Sequence, residues 1–170
     1  VSGLASTWLG GDRYEFRLSN GNGTNDCLYP ECADTYIDSG SPTTNYDGET
    51  EMQISYNTWP SETSVLFNCN LVANLLPNGY AVESAHLDVK LADYPSGSPN
   101  VAIWESRQHN WTADGATWST YDGVNNWGAA GAKGWERGSL IDSLTIGNSY
   151  SVGDTIEWNV TLGVQNAMRD

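Results

Sequence analysis

Ser84-Ala85-His86-Leu87-Asp88-Val89-Lys90-Leu91 is the stretch on which the fold reading turns. Ala85, Leu87, Val89 and Leu91 alternate with Ser84, His86, Asp88 and Lys90, and a period of two puts the two sets on opposite faces of an extended strand. The pattern recurs on both sides. Tyr14, Phe16 and Leu18 alternate with Arg13, Glu15 and Arg17; Met52, Ile54 and Tyr56 with Glu51, Gln53 and Ser55; Ile156, Trp158, Val160 and Leu162 with Thr155, Glu157, Asn159 and Thr161. Val65, Phe67, Cys69 and Leu71 share one face of a further strand, where Cys69 reads as a small buried apolar residue. Strands with one apolar and one polar face are those of antiparallel sheets wetted on one side.

Turn-forming residues separate these runs, as in Ser39-Gly40-Ser41-Pro42, Leu76-Pro77-Asn78-Gly79 and Tyr94-Pro95-Ser96-Gly97-Ser98-Pro99. No long amphipathic helix fits, and helical turns are expected only near Val72–Leu76 and Gly163–Met168. Two such sheets closing over a shared interior predict an all-β, antiparallel two-sheet sandwich or jelly roll. A length of 170 residues suits one domain over 1–170, with 1–31 as an amino-terminal arm or extra strand.

Twenty-one acidic residues against seven basic ones give a net charge of -14. Such a surface repels phosphate backbones and anionic headgroups, so neither nucleic acid nor a membrane surface is an expected partner. No run approaches the roughly twenty apolar residues that span a bilayer, and no membrane insertion is expected. The chain starts at Val1 without Met, which suggests a processed or excised part of a longer chain or assembly. Cys27 and Cys32 lie within Asn25-Asp26-Cys27-Leu28-Tyr29-Pro30-Glu31-Cys32, where a disulfide would staple a loop; two free thiols are the alternative.

Ala33-Asp34-Thr35-Tyr36-Ile37, Asn45-Tyr46-Asp47, Leu66 to Leu71, Leu76-Pro77-Asn78-Gly79 and Val82-Glu83-Ser84-Ala85-His86-Leu87 occur in an order that resembles the DNRLRE-type β-sandwich family. Trp111-Thr112-Ala113-Asp114-Gly115-Ala116-Thr117-Trp118 and Asn126-Trp127-Gly128-Ala129-Ala130-Gly131-Ala132 are similar to its tryptophan-rich loop. The resemblance covers about 33–164. It implies a jelly-roll sandwich of secreted and cell-surface proteins and of carbohydrate-binding modules, often with bound calcium, and so an extracellular place. Ser64 and Asn70 stand where the family has a basic residue and an aspartate, which weakens polyuronate binding at those positions. The chain also stops at Asp170 where the family continues into another hairpin, which points to an edge completed by the amino-terminal arm or by a neighbouring subunit.

Trp104, Trp111, Trp118, Trp127 and Trp135 crowd one region. Indole faces can stack on the C–H faces of sugar rings while nearby polar groups bind the hydroxyls, and the ligand-binding candidates are Trp135, Trp127, Tyr121 and Asp122. Large aromatics also pin long loops to a core, the reading favoured for Trp111, Trp118 and Trp127, whereas Trp135 beside Lys133, Glu136 and Arg137 suits a surface platform. Asp34, Asp38, Asp47 and Asp114 are the candidate calcium ligands, with solvated turn residues as the alternative. His86 and His109 have no nucleophile pattern near them, and no phosphate loop, nucleotide fingerprint or nucleophile elbow occurs, so no enzymatic activity is expected. Two functions follow: a non-catalytic glycan-binding or adhesive module, or a structural subunit of a virion, surface layer or filament that contacts neighbouring protein subunits.

Overall fold

The computed structural model describes residues 7–8, 14–20, 32–49, 51–54, 61–69, 82–93 and 98–167, with the backbone alone at 7–8, 14–20, 32 and 69. Cys27 and the Cys32 side chain, and with them the expected bridge, lie outside the described residues, as does the turn expected at 72–76. In chain order the strands are β1 (Thr7–Trp8), β2 (Tyr14–Asn20), β3 (Cys32–Asp38), β4 (Thr63–Cys69), β5 (Ala85–Lys90), β6 (Asn100–Ser106), β7 (Arg137–Thr145) and β8 (Thr155–Asn159), followed by a short helix, α1 (Thr161–Ala167). The protein is all-β, of the sandwich class expected from the alternation. No helix among the described residues is long and apolar enough to cross a membrane.

The chain forms two compact units. The first takes Val1–Cys32, Cys69–Trp104 and Leu140–Asp170. Its sheet has the order β1-β2-β5-β8, with β5 at the centre of the pattern that opened the sequence reading. Across β5 and β8, Leu87 faces Trp158 and Val89 faces Ile156, while His86 faces Asn159 and Asp88 faces Glu157. Apolar partners therefore share one face and polar partners the other, although Asp88 on the polar face is itself only 6% exposed. Over the apolar face lie Val101 and Ile103 of β6 and Ile141 and Leu144 of β7, packed into one core with Ile156, Trp158 and Val160. Trp158 is 2% exposed, and its indole N–H donates to the Val101 carbonyl at 3.3 Å, which satisfies the one polar atom that the ring takes into the core.

One pairing departs from the antiparallel scheme: β2 runs parallel to β5, with Phe16 opposite Ala85 and Leu18 opposite Leu87. A tight turn forces neighbouring strands to be antiparallel, but more than sixty residues separate these two, so no hairpin sets their direction. The last strand is also shorter than its pattern. After Asn159 the chain turns into α1, because the Asn159 side-chain oxygen accepts the Thr161 N–H at 3.1 Å, and Leu162 is left 53% exposed. Val160 N donates to Ala85 O and Gln165 Nε2 to Val82 O, which holds strand end and helix to β5.

The second unit takes Ala33–Asn68 and Glu105–Ser139. Strands β3 and β4 pair, and Ile37 is fully buried against Trp111, Ala116 and Trp127. Leu66 joins this core, so the alternation of β4 turns Phe67 to the other face at 36% exposure, in place of the inward position expected for it. Residues 51–54 form no strand, contrary to their alternating pattern, and Ile54 is 53% exposed. Alternation specifies a strand only where a partner edge and a core are there to receive it.

Candidate functional site

The tryptophan-rich stretch is built from turns that backbone bonds such as Ala116 N to Thr112 O at 2.8 Å close and side chains brace. Asn45 sends its amide N–H groups to Ala113 O at 2.6 Å and Ala116 O at 2.8 Å, satisfying carbonyls that no ladder reaches. Thr117 Oγ1 accepts the N–H groups of Ser119 and Thr120. Trp127, 6% exposed, donates its indole N–H to Thr117 O at 2.8 Å, and Tyr121 meets it edge-on at 5.8 Å between ring centroids. Trp127 and Tyr121 thus come together, but within the core. Asp122 closes the next turn: its carboxylate accepts Asn125 N at 2.7 Å, Val124 N at 3.0 Å and the Asn125 side chain at 2.8 Å. These bonds, those from Asn125 first, hold its carboxyl below the usual aspartate range.

Trp118 is half-buried and lies beneath Lys133, whose ammonium is 5.1 Å from the ring centroid and also pairs with Glu62. Trp135 differs from the other indoles of the loop. It is 62% exposed, and its pyrrole edge comes close to Gly128, where a Cβ would stand 2.4 Å from its Cδ1 and 2.6 Å from its Nε1. Glycine at 128 is what lets the ring lie so close. The next residue, Glu136, is 2% exposed, with Oε1 accepting the N–H groups of Ala129 at 3.3 Å and Gly134 at 3.2 Å. Its Oε2 is buried and has no hydrogen-bond partner. Neither Glu136 nor Asn45 was a candidate in the sequence reading. The signals for them were an acid between an indole and an arginine in a glycine-rich run, and the Asn45-Tyr46-Asp47 segment that carried the resemblance.

Of the four candidate calcium ligands, Asp34 and Asp47 come within electrostatic reach. Burial, and then the charge of Asp47, raise the Asp34 carboxyl above its usual range. Asp38 accepts the Gly40 N–H at 2.8 Å, as a turn residue does. Among the described residues no group of three or more His, Cys, Asp or Glu side chains is arranged to hold a metal ion. Tyr36 stacks on Tyr46 at 4.2 Å between centroids; burial, then Tyr46, Glu49 and Asp38, raise its hydroxyl above the usual tyrosine value. Of the histidines, His86 Nδ1 lies 3.1 Å from Glu157 Oε1 and His109 is exposed.

The fold is thus an all-β module with indole-pinned loops, in which Trp104 and Trp135 are exposed. The model of carbohydrate-binding module family 96 matches residues 27–132, well over half of the chain, and the protein belongs to that family. The matched span contains the buried tryptophans of the loop and ends just before Trp135. No curated protein and no solved structure matches the chain.

Proposed function

We propose that this protein is a non-catalytic, extracellular glycan-binding module whose contact residue is Trp135. The observation that carries this reading is the exposed indole beside a family-matched loop whose other tryptophans are used for packing or, in Trp118, lie under Lys133. A sugar ring offers an apolar C–H face, and the electron-rich face of an indole attracts it. Tyr121 and Trp127 pack in the core of the same unit, and Asp122 closes a turn within the matched span. Binding therefore depends on Trp135 and only indirectly on the other three candidates.

The test is a glycan array and affinity electrophoresis with the full chain and Trp135→Ala. Retention by at least one polysaccharide, lost in the variant, supports the reading. Silence across the whole panel would sink it. Assembly with neighbouring subunits is a second proposal, favoured by Trp104 at 44% and Leu140 at 48% exposure on the β6–β7 ribbon. Sedimentation velocity checks it: concentration-dependent association weakened by Leu140→Ser supports assembly, and a monomer at all concentrations opposes it.

A further inference from the structure

We infer that Trp118 is a positioning residue for Trp135: the turn that carries the exposed indole is seated on the Trp118 ring, and its aim is set there. The consequence for affinity rests on the glycan-binding reading above. Among the described residues, Ala132 is the one non-glycine residue with a positive φ, 56°, and it follows Gly131 at 79°. A side chain in the left-handed region crowds its own backbone, so alanine stays there only where its neighbours hold it. Both neighbours are held by Trp118. Gly131 donates its N–H to the Trp118 carbonyl at 2.8 Å, and a Cβ at 131 would stand 2.5 Å from Cη2 and 2.6 Å from Cζ2 of the ring. One residue beyond Ala132, the Lys133 ammonium lies 5.1 Å from the Trp118 centroid and is paired with Glu62. Ala132 itself packs, with Trp118, against the core of Ile37, Trp111, Ala116 and Trp127.

From this seat the chain reaches Trp135 with little slack. Lys133 N donates to Ala129 O and Arg137 N to Gly134 O, each at 3.2 Å, while Glu136 Oε1 accepts the N–H groups of Ala129 and Gly134. The two arms of the turn are thereby tied together, and Trp135 leaves it with its pyrrole edge close to Gly128. A single ring that stacks on a sugar binds in proportion to the fraction of molecules in which it is correctly aimed, so freedom in the turn lowers affinity. Strain held at Ala132 by contacts on either side of it is a means of fixing such an aim. Gly131→Ala should undo it, since the added methyl meets the Trp118 ring in a backbone conformation that a side chain already disfavours. Trp118→Phe should act in the same way, because the smaller ring lacks the benzo edge on which Gly131 lies.

The experiment follows Trp135 directly. The full chain is labelled with 5-fluorotryptophan, and the Trp135 fluorine resonance is identified by its absence from Trp135→Phe. Affinity electrophoresis on a panel of neutral and acidic polysaccharides is run on the same variants. The expected result is one narrow Trp135 line in the wild-type chain, broadened or split in Gly131→Ala and Trp118→Phe. Retention should be about tenfold weaker in these variants as the aimed state falls to about a tenth of the molecules. Lys133→Met, at an exposed position where little stability is at stake, should give the same change in milder form. Asn45→Ala is the control: it loosens the same unit at Ala113 and Ala116 and should leave both the Trp135 line and retention as they are. An unchanged Trp135 line in Gly131→Ala, Trp118→Phe and Lys133→Met would overturn the inference. So would equal broadening in Asn45→Ala, which would make Trp118 a support of the whole unit rather than of Trp135. If the line moves as expected but no polysaccharide retains the wild-type chain, the glycan-binding reading fails and the positioning of Trp135 stands.

Discussion

The two units solve the same problem with different materials. In the first, backbone groups pair across β5 and β8 and the core fills with aliphatic side chains around one indole, Trp158. In the second, β3 and β4 make a short ribbon, and much of the remaining backbone is satisfied by side chains: Asn45 on two carbonyls, Thr117 and Asp122 on turn N–H groups, Glu136 on two more. Ladders place side chains at a fixed period and leave faces that are either buried or wet. Turns closed by side chains need no period, so an indole can be aimed outward wherever a glycine permits it. That difference places the candidate site in the second unit.

The comparison can be broken first at the two buried indoles. Trp158→Ala removes the centre of the first core and should cost about 3–5 kcal/mol in chemical denaturation, enough to unfold a marginal domain. Trp127→Phe keeps most of the apolar area of the second core but leaves Thr117 O without its donor, and about 1–3 kcal/mol is expected. If Trp158→Ala cost no more than Trp127→Phe, the ladder-built unit would not depend on its central ring as described.

Asn45→Ala tests whether turns are held by side chains. Two carbonyls lose their partner, so a cost of about 1–3 kcal/mol is expected, with faster amide exchange confined to 111–127. Exchange that rises equally in β5 and β8 would erase the distinction between the units. A smaller effect is expected at Asp34. Burial and Asp47 raise its folded pKa above the unfolded value, so the stability linked to its protonation is present at acid pH and is lost as pH rises through the raised value. Asp34→Asn should therefore raise the melting temperature by about 1–2 °C at neutral pH, with the gain vanishing below the ordinary aspartate range. Scanning calorimetry at several pH values checks the sign. Trp135→Ala should change stability least, within about 0.5 kcal/mol, while removing glycan retention. A large loss of stability there would make the ring structural.

The alternation of Ala85, Leu87 and Val89, and of Ile156 and Trp158, was legible because these residues share one core, with burial following period two in β8 but not at Asp88 of β5, which is buried on the polar face. Glu51 to Tyr56 carried the same pattern, yet residues 51–54 form no strand, and Phe67 turned outward because Leu66 took the inward place. Periodicity says which residues share a face and is silent on whether that face is covered. At the candidate site the indoles could be named, and Trp135 could be set apart by its charged and glycine neighbours. The role of Asn45 could not be read, since the carbonyls it binds lie 68 and 71 residues away, and that of Glu136 could not because only the folded turn brings the nearby Ala129 and Gly134 N–H groups to one of its oxygens.

By itself, the order of residues determined the all-β class, the acidic character and the presence of an indole-rich loop, because these follow from local period and composition. Tertiary structure alone decided that β2 runs parallel to β5, that Trp127 and Tyr121 pack together at the core, and that Trp135 stands exposed while the adjacent Glu136 is buried. Strand direction and side-chain exposure depend on which distant segments arrive as neighbours, and no spacing along the chain encodes that.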